Sequence, residues 1–438
     1  MKTLNSFFRL GERGTNVRTE ILAGTVTFMT MAYILVVNPL ILSGSGMSFE
    51  KVFSATAIIS AVSTLVMGLA ANLPFALSAG MGLNAFFTYT VCQGLGYSWR
   101  WAMTAILVEG VIFLLLTFFN VREVIVKCIP ANLKKAIGAG IGLYIAFIGL
   151  QNSGTIVDNK DTLVELSSTW CSGGSGLALI GLVITGVLLV KKVKGAILIG
   201  IIATTLIGIP FGVTQYAGGS YLPSAPYFCP FAFDEIFANG KSAFDFVVVL
   251  LTFLFVDMFG TVGTLIACAG KSGIIQEDGS IPNCKQALLA DAIGTTGGAM
   301  LGTSTVTTFV ESASGVAAGG RTGLTAVTTA VLFFASLFLS PLFASIPRAA
   351  TAPALIIVGV MMITPIREID FNDYTEGIPA FLCVLFMVCA YSISDGIMFG
   401  VLSYVLINAV TGHVKKINKM TWVLAALFVV RIVMETFI

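Results

Sequence analysis

The segment IPANLKKAIGAGIGLYIAFIG, residues 129–149, recurs in altered form as IPRAATAPALIIVGVMMI, residues 346–363. By the apolar runs around them, the first copy follows a fourth predicted membrane span and the second follows an eleventh. The two copies are therefore seven spans apart, and because seven is odd they enter the membrane from opposite sides. The sequence predicts two halves of seven spans each, in an inverted repeat.

The composition of the chain identifies lipid as its solvent. Of the 438 residues, 56% are apolar and 11% are charged. Soluble domains carry about 25% charged residues, so this chain is predicted to be an all-α polytopic membrane protein that contacts the lipid bilayer. The net charge of +2 and the scattered basic residues indicate that nucleic acid is not a partner.

Glycine, proline and charged residues divide the apolar sequence into about fourteen predicted spans. The predicted spans are 21–43, 52–71, 76–93, 100–119, 136–152, 174–190, 195–211, 245–268, 284–301, 304–318, 323–346, 351–364, 378–393 and 395–411. A further apolar run at 420–438 either crosses the membrane a fifteenth time or lies on its inner surface, and Arg431 and Glu435 within it favour the inner surface.

The distribution of Lys and Arg predicts the orientation. Cytoplasmic loops hold the excess of basic residues, and a cytoplasmic N-terminus puts the loop after every even-numbered span inside. The basic residues of these loops are Arg122, Lys127, Lys134, Lys135, Lys191, Lys192, Lys194, Lys271, Lys285, Arg321, Arg367, Lys415, Lys416 and Lys419. The long loop 212–244 has a single Lys and is predicted to be extracellular. We expect a protein of the cell membrane.

The third and tenth predicted spans differ from the others because glycines and polar residues interrupt them. Their sequences are LSAGMGLNAFFTYTV, residues 77–91, and LGTSTVTTFVESASGVAAGG, residues 301–320. Glycine breaks a helix, and paired interrupted spans at equivalent positions are typical of the midplane binding site of a secondary transporter. We therefore predict half-helices at spans 3 and 10. The alternative is that these glycines only allow close helix packing.

Three carboxylates lie inside predicted spans eight to ten, where each costs about 2.5–3.5 kcal/mol. They are Asp257, Asp291 and Glu311. A carboxyl group shielded from water can hold a proton and release it when its cavity becomes wet, which couples proton movement to transport. The same group accepts paired N–H donors from a planar heterocycle. The alternative is that these acids anchor hydrogen bonds between helices.

Other residues extend this candidate binding site. By helical spacing, Asp257 and Thr261 share one face of the eighth span. Asn84 lies in the interrupted third span. The rings of Phe86 and Phe309 could stack on a planar ligand, with ordinary packing as the alternative role.

Several motifs together resemble the AzgA-like purine permeases, a branch of the nucleobase–cation symporters with the uracil-permease fold. These motifs are GMGLNAFFTYTV, ALLADAIGT, GTSTVTTFVESASGVAAGGRTGLTAV and ATAPALIIVG, and the resemblance covers essentially the whole chain. It implies uptake of adenine, guanine or hypoxanthine by proton symport, with Na⁺ as the alternative coupling ion and no other cofactor. It also implies a purine nucleobase bound between spans 3, 8 and 10, and a homodimer.

The resemblance further divides the chain into a core domain (spans 1–4 and 8–11) and a gate domain (spans 5–7 and 12–14). In chain order, the implied segments are a cytoplasmic tail at 1–20, core at 21–128, gate at 129–211, the extracellular loop at 212–244, core at 245–346, and gate with the C-terminal apolar run at 347–438.

By motif, Glu311 matches the carboxylate that the family resemblance marks as the main purine ligand. Asp257 and Asp291 match the acids of the eighth and ninth spans, and Asn84 matches the polar residue of the third. Where the family has a second acid three residues after Asp257, this chain has Gly260. The choice between adenine and a 6-oxopurine therefore stays open.

Two other classes of function are less consistent with the sequence. An anion carrier of the sulfate or bicarbonate type would share the inverted repeat and use helix dipoles, but Glu311 beside those dipoles would repel an anion. A membrane-embedded enzyme is disfavoured because the chain has no HExxH or GxSxG motif and its single His413 lies in a basic loop.

Overall fold

A computed structural model of the chain describes residues 2–119, 130–216, 218, 220–238, 240–272, 274 and 281–437. The predicted inner-loop residues Arg122 and Lys127 lie outside these residues. Within the described residues, eight helical segments are long and apolar enough to cross a bilayer: Val17–Ser43, Phe49–Ala71, Trp99–Phe118, Asn132–Asn152, Gly173–Val190, Gly323–Ala344, Arg348–Glu368 and Ile393–Val410. Two shorter apolar helices are Ala196–Gly208 and Tyr374–Cys389. The chain is a helical multi-pass membrane protein, and the count of fourteen spans stays a prediction.

The described α-helices follow in chain order. They are α1 (Lys2–Phe8), α2 (Val17–Met31), α3 (Ile34–Ser43), α4 (Phe49–Val66), α5 (Met81–Ala85), α6 (Trp99–Phe118), α7 (Ala131–Asn152), α8 (Gly173–Val190), α9 (Ala196–Gly208), α10 (Phe233–Ile236), α11 (Gly240–Ser272), α12 (Cys284–Leu301), α13 (Ser312–Ala317), α14 (Gly323–Ala335), α15 (Ser340–Ala344), α16 (Arg348–Met362), α17 (Tyr374–Cys389), α18 (Ile393–Val410) and α19 (Lys419–Phe437). The described strands are β1 (Leu77–Ala79), β2 (Ile156–Asn159), β3 (Leu163–Leu166) and β4 (Val306–Thr308). Helices α4 and α5 continue as π-helices over Met67–Ala71 and Phe86–Gly94.

The helices pack in two groups. In one group, α7 packs against α16 and α17, α8 packs against α9 and α16, and α17 packs against α18. In the other group, α14 packs against α2 and α4, and α12 packs against α4 and α6. The first group comes from residues 131–208 and 348–410 and the second from 17–118 and 240–344, so each group combines helices from both halves of the chain.

The two copies of the repeated segment meet in the structure. They form α7 and α16, and these helices cross at Gly142 and Gly359. A Cβ atom on Gly359 would lie 2.5 Å from the carbonyl oxygen of Gly142, and one on Gly142 would lie 2.9 Å from that of Gly359. The two backbones touch because neither residue has a side chain. Since these glycines occupy the same position in the two copies, they meet as expected near a two-fold axis.

The interrupted third and tenth spans each contain a short extended segment. Strand β1 pairs antiparallel with β4, with Leu77 opposite Thr308 and Ala79 opposite Val306. Backbone N–H and C=O groups cannot stay unpaired in lipid, and the two interrupted segments satisfy these groups by pairing with each other. The interruptions are short paired strands followed by short helices, within a predominantly helical fold.

Two threonines pair with the remaining backbone groups of these strands in the same way. Thr64 in α4 accepts from the N–H of Leu77 at 2.9 Å and donates to its carbonyl oxygen at 3.1 Å. Thr295 in α12 accepts from the N–H of Val306 and donates to its carbonyl oxygen, both at 3.1 Å. Helices α4 and α12 correspond to predicted spans 2 and 9. The same threonine–backbone hydrogen bonds therefore occur in both halves of the inverted repeat.

The loop 212–244 covers one end of the second helix group. The hydroxyl of Tyr227 accepts from the N–H of Ser48 at 2.9 Å, beside the start of α4. The N–H of Cys229 donates to the carbonyl oxygen of Met300 at 2.7 Å, near the end of α12. The start of α4 and the end of α12 therefore lie on the same face, which agrees with the alternation of span directions in the sequence.

The C-terminal helix α19 packs against α18, whereas the sequence favoured a position on the inner membrane surface. Arg431 forms an ion pair with Asp395 at 2.8 Å and donates to the hydroxyl of Ser394 at 2.8 Å, in the first turn of α18. Because α19 begins at Lys419, shortly after α18 ends at Val410, it runs back along most of that helix. The charge of Arg431 is therefore buried and paired with an acid of α18.

We predict that Thr295→Val destabilises the protein by about 1–3 kcal/mol, because the buried N–H and C=O of Val306 lose their shared partner. Thermal unfolding of the detergent-purified protein measures the effect. The control is Thr25→Val, since Thr25 is more exposed and donates within its own helix, to the carbonyl oxygen of Ile21. Equal stability of the two variants would contradict the role assigned to Thr295.

Candidate functional site

A cavity of about 210 Å³, here called the first cavity, lies between the two helix groups. On one side it is lined by residues from the β1–α5 segment, from α11 and from the β4–α13 segment, and on the other side by residues from α7 and α16. The two interrupted spans therefore open onto one space, beside the crossing of the repeated helices.

Glu311 is the acidic residue in the wall of the first cavity. It immediately precedes α13 and its residue surface is 9% exposed. The hydroxyl of Tyr33, at the break between α2 and α3, donates to Glu311 Oε1 at 2.7 Å. This charge-assisted hydrogen bond orients the carboxylate, which can accept further N–H donors from a ligand in the cavity.

The six-residue helix α13 is too short to be stable alone and is held by α2. Gly315 allows this close packing, since a Cβ atom there would lie 2.8 Å from the carbonyl oxygen of Ala23 and would also overlap the hydroxyl of Thr27. The position of Glu311 relative to Tyr33 is therefore fixed by the first span, which carries Tyr33 itself.

Glu20 in α2 holds the loop that joins α13 to α14. Its buried carboxylate accepts from the backbone N–H groups of Arg321, Thr322 and Thr325 at 2.9, 3.2 and 3.2 Å. The guanidinium of Arg321 donates to the carbonyl oxygen of Val316 at 2.7 Å. One acid thus pairs with the N–H groups around the start of α14, while Arg321 adds a hydrogen bond to a carbonyl oxygen at the end of α13.

Three of the predicted site residues line the first cavity: Glu311, Phe309 and Gly260. Phe309 is held by its N–H, which donates to the carbonyl oxygen of Ala76 at 3.0 Å. A Cβ atom built on Gly260 would have no atom of the described residues within 4 Å. The wall is therefore open at Gly260, and a larger side chain there has room to enter.

Two predicted residues of the third span lie outside the lining of the first cavity. The side-chain oxygen of Asn84 accepts from the hydroxyl of Ser304. Phe86 packs edge to face on Phe253, with ring centroids 5.1 Å apart. The structure thus places both side chains in packing and hydrogen-bonding contacts, whereas the third-span residues that line the cavity are Gly80, Met81, Gly82 and Leu83.

The predicted acids of spans eight and nine also lie behind the cavity wall. Asp257 is fully buried, and Thr261 donates to both carboxylate oxygens of Asp291 at 3.0 Å. Residues of α11 that do line the cavity include Gly260 and Thr264. Asp257 and Thr261 are not in the cavity lining, and the hydroxyl of Thr261 is directed to Asp291 of α12.

Sequence reasoning missed Tyr33 and Lys134 as residues of the cavity. Both line it, together with Ile141, Val358 and Met361. A phenol inside the apolar first span was a usable signal for Tyr33, because a hydroxyl buried in lipid needs a partner. Lys134 was counted only as an inner-loop charge, although it lies in the first turn of α7.

Together these features define a class of protein. A carboxylate-bearing cavity at paired interrupted spans, between two groups of membrane helices, is the arrangement of a secondary transporter. Residues 18–399 match the family model described as the permease family, for xanthine and uracil permeases. The chain belongs to this xanthine/uracil permease family.

Two named relatives match the sequence of this chain over nearly its full length. The adenine permease AdeQ of Escherichia coli K12 is 40% identical over 432 residues, which cover 99% of this chain and 96% of that protein. The guanine/hypoxanthine permease PbuO of Bacillus subtilis 168 is 42% identical over 435 residues, covering 97% and 99%. The predicted family, and a transporter instead of an enzyme, are confirmed.

Among solved structures, the transmembrane domain of the cyanobacterial bicarbonate transporter BicA is similar to this chain. The TM-score is 0.63 at 14% sequence identity, and the match covers 88% of this chain and 97% of that domain. At this identity the similarity concerns the fold alone.

Proposed function

We propose that the protein imports purine nucleobases across the cell membrane by proton symport, with the base bound in the first cavity beside Glu311. The observation that carries this proposal is the carboxylate of Glu311, oriented by the Tyr33 hydroxyl at 2.7 Å in the wall of a cavity between two helix groups. Relatives named as adenine and guanine/hypoxanthine permeases support a purine as the substrate.

The cavity has the chemistry that a nucleobase needs. Its volume of about 210 Å³ lies below the range of about 300–1,000 Å³ typical of drug-sized ligands, so it suits one small ring system. Phe309, Ile141 and Val358 offer apolar surface to the faces of the ring. Glu311 accepts the N–H groups of its edge, which fixes the orientation of the base.

Glu311 is also the proposed site of the coupled proton. As a carboxylate it accepts the Tyr33 hydroxyl and the N–H groups of the base, and as a carboxylic acid it crosses the membrane without charge. The predicted coupling roles of Asp257 and Asp291 are kept as secondary proposals, since Asp291 is engaged by Thr261. Asn84 and Phe86 stabilise the third span through their contacts with neighbouring residues outside the cavity lining.

The proposed architecture has fourteen crossings, with half-helices after β1 and β4 as the third and tenth. The helix group from 17–118 and 240–344 acts as the core that carries Glu311, and the group from 131–208 and 348–410 acts as the gate. The positive-inside pattern supports a cytoplasmic N-terminus in the cell membrane. The homodimer that the resemblance implies stays a prediction.

An anion carrier is the second candidate function, because Lys134 lines the first cavity and the fold resembles that of a bicarbonate transporter. Glu311 opposes this function, since an anion would approach a buried carboxylate. Uptake of labelled bicarbonate or sulfate that exceeds purine uptake would favour the anion carrier over our proposal.

We expect saturable uptake of radiolabelled adenine, guanine or hypoxanthine when the protein is produced in a bacterial strain that lacks purine permeases. A protonophore should reduce this uptake at least about tenfold, because the proton gradient supplies the driving force. Cells with an empty vector are the control. Purine uptake that is insensitive to the protonophore and depends on Na⁺ would contradict proton coupling. An absence of purine uptake would contradict the proposed purine transport.

We predict that Glu311→Gln lowers purine uptake by about 10–100-fold, the equivalent of losing charge-assisted hydrogen bonds worth about 1.5–3 kcal/mol. Glutamine keeps the size of the side chain but carries no exchangeable acid proton. Uptake is measured at equal amounts of membrane-inserted protein. The control is Glu165→Gln, in an exposed strand of the loop after α7. Normal uptake by Glu311→Gln would mean that this carboxylate is structural.

We predict that Gly260→Asp changes the preference between adenine and the 6-oxopurines by about tenfold in relative KM, because the new carboxylate enters the open wall beside the base. Competition of unlabelled purines against labelled hypoxanthine measures the preference. Gly260→Ala is the matched control, since it adds a Cβ atom without charge. An identical substrate profile in all three proteins would remove Gly260 from the residues that set selectivity.

A further inference from the structure

A second cavity, of about 300 Å³, also has Glu311 in its wall. Its walls come from α2, from the turn 192–195 before α9, from α13 and from the end of α16. Glu311 and Met361 line both cavities. These two side chains therefore form a partition, and the carboxyl group can be reached from two separate spaces.

The second cavity is more polar in proportion than the first and extends to an exposed turn. The hydroxyl-bearing residues Thr30 and Ser314 line it near Glu311, and Lys192 and Lys194 line it at the exposed turn. A space of this size is large enough for several water molecules, and hydroxyl groups and a carboxylate supply the hydrogen bonds that such waters need. The first cavity offers a more apolar wall, with Phe309 and the helix faces of the gate.

A base bound in the first cavity requires a separate route for the proton. When a purine fills the first cavity, it covers the side of Glu311 that faces that cavity and displaces water from it. A proton on Glu311 must then leave in another direction if it is to be released before or together with the base. The second cavity is another space that Glu311 lines.

We propose that the second cavity is the path by which the coupled proton passes between Glu311 and the solvent at the basic turn 192–195, separate from the path of the purine. In the release step, the O–H bond of protonated Glu311 breaks, the proton moves to a water molecule in the second cavity, and the electron pair stays on the carboxylate. The proton then passes to bulk water at the turn. This inference rests on the proposed proton symport.

The charged and titratable groups around Glu311 fit this direction of transfer. Tyr33 donates to the carboxylate and holds it in place during the step. Lys134 lines the first cavity, while Lys192 and Lys194 line the mouth of the second. Their positive charges attract the carboxylate that remains after the proton has left.

The test fills the second cavity without changing a polar group. Ala317 lines the second cavity but not the first, so Ala317→Phe should obstruct the proton path alone. We expect accumulation driven by a pH gradient in proteoliposomes to fall at least about tenfold. Purine counterflow, in which the loaded carrier exchanges base without net proton release, should stay unchanged. The matched control is Ala335→Phe, on an exposed position of α14 that lines neither cavity.

Two results would overturn the inference. If Ala317→Phe lowers counterflow as much as accumulation, the second cavity belongs to the purine path or the variant is misfolded, and the labelling experiment below decides between these. If accumulation is unchanged, the cavity carries no proton. The wild-type protein tests the proposed function separately, since accumulation that does not depend on the pH gradient would refute symport whatever Ala317→Phe does.

Thiol labelling provides a measurement that does not depend on a bulky substitution. Ala317→Cys reports on the second cavity, and Gly138→Cys reports on the first, where a Cβ atom has no described atom within 4 Å. A membrane-impermeant thiol reagent is applied, and modification at each site is quantified by mass spectrometry because the chain has native cysteines. Excess adenine or hypoxanthine should slow labelling at position 138 and leave position 317 unaffected. Equal protection of both positions, or an unreactive position 317, would refute a separate path.

Discussion

The pairing of two interrupted membrane spans with each other is the interaction on which the rest of this structure depends. A span that stops being helical exposes N–H and C=O groups that lipid cannot satisfy. Strands β1 and β4 solve this problem for each other, and Thr64 and Thr295 complete the pairing from the helices behind them. Because each strand needs the other, the two halves of the chain are joined at the point where the cavity opens.

The first span stabilises the arrangement and also contributes to its chemistry. Glu20 binds the loop after the short helix α13, and Gly315 of α13 packs closely against Ala23 of α2. Tyr33 donates a hydrogen bond to Glu311. A six-residue helix supplies little stability of its own, so the position of the carboxylate is set by contacts with a long and well-packed neighbour. Catalytic or binding precision in a membrane site requires such support, since a loosely held carboxylate would lose its orientation toward the ligand.

The sequence predicted the interrupted spans, the family and three residues of the cavity wall, because these follow from local signals. Glycines in an apolar run, and a carboxylate in lipid, are unusual enough to need a reason. On α11 the predicted residues divide, since Gly260 lines the cavity whereas Asp257 and Thr261 lie outside its lining. Polarity alone cannot distinguish a binding face from a face that pairs with buried groups of neighbouring helices, such as Asp291. That distinction requires the packing of α6, α11 and α12 in three dimensions.

The repeat is symmetric in its backbone but not in its chemistry, and this difference is what gives the site a single acid. Thr64 binds Leu77 as Thr295 binds Val306, so Leu77 and Val306 are equivalent, and counting five residues onward makes Gly82 the counterpart of Glu311. Both line the first cavity. A second carboxylate at position 82 would share that cavity with Glu311, and two such charges repel, so that one of them would stay protonated. A Cβ atom at Gly82 would also lie 2.5 Å from Ile141 of α7, so the glycine lets the gate helix approach the core. The second half of the repeat therefore provides the acid, Glu311. The first half provides Gly82, whose close contact with α7 helps to enclose the cavity around that acid.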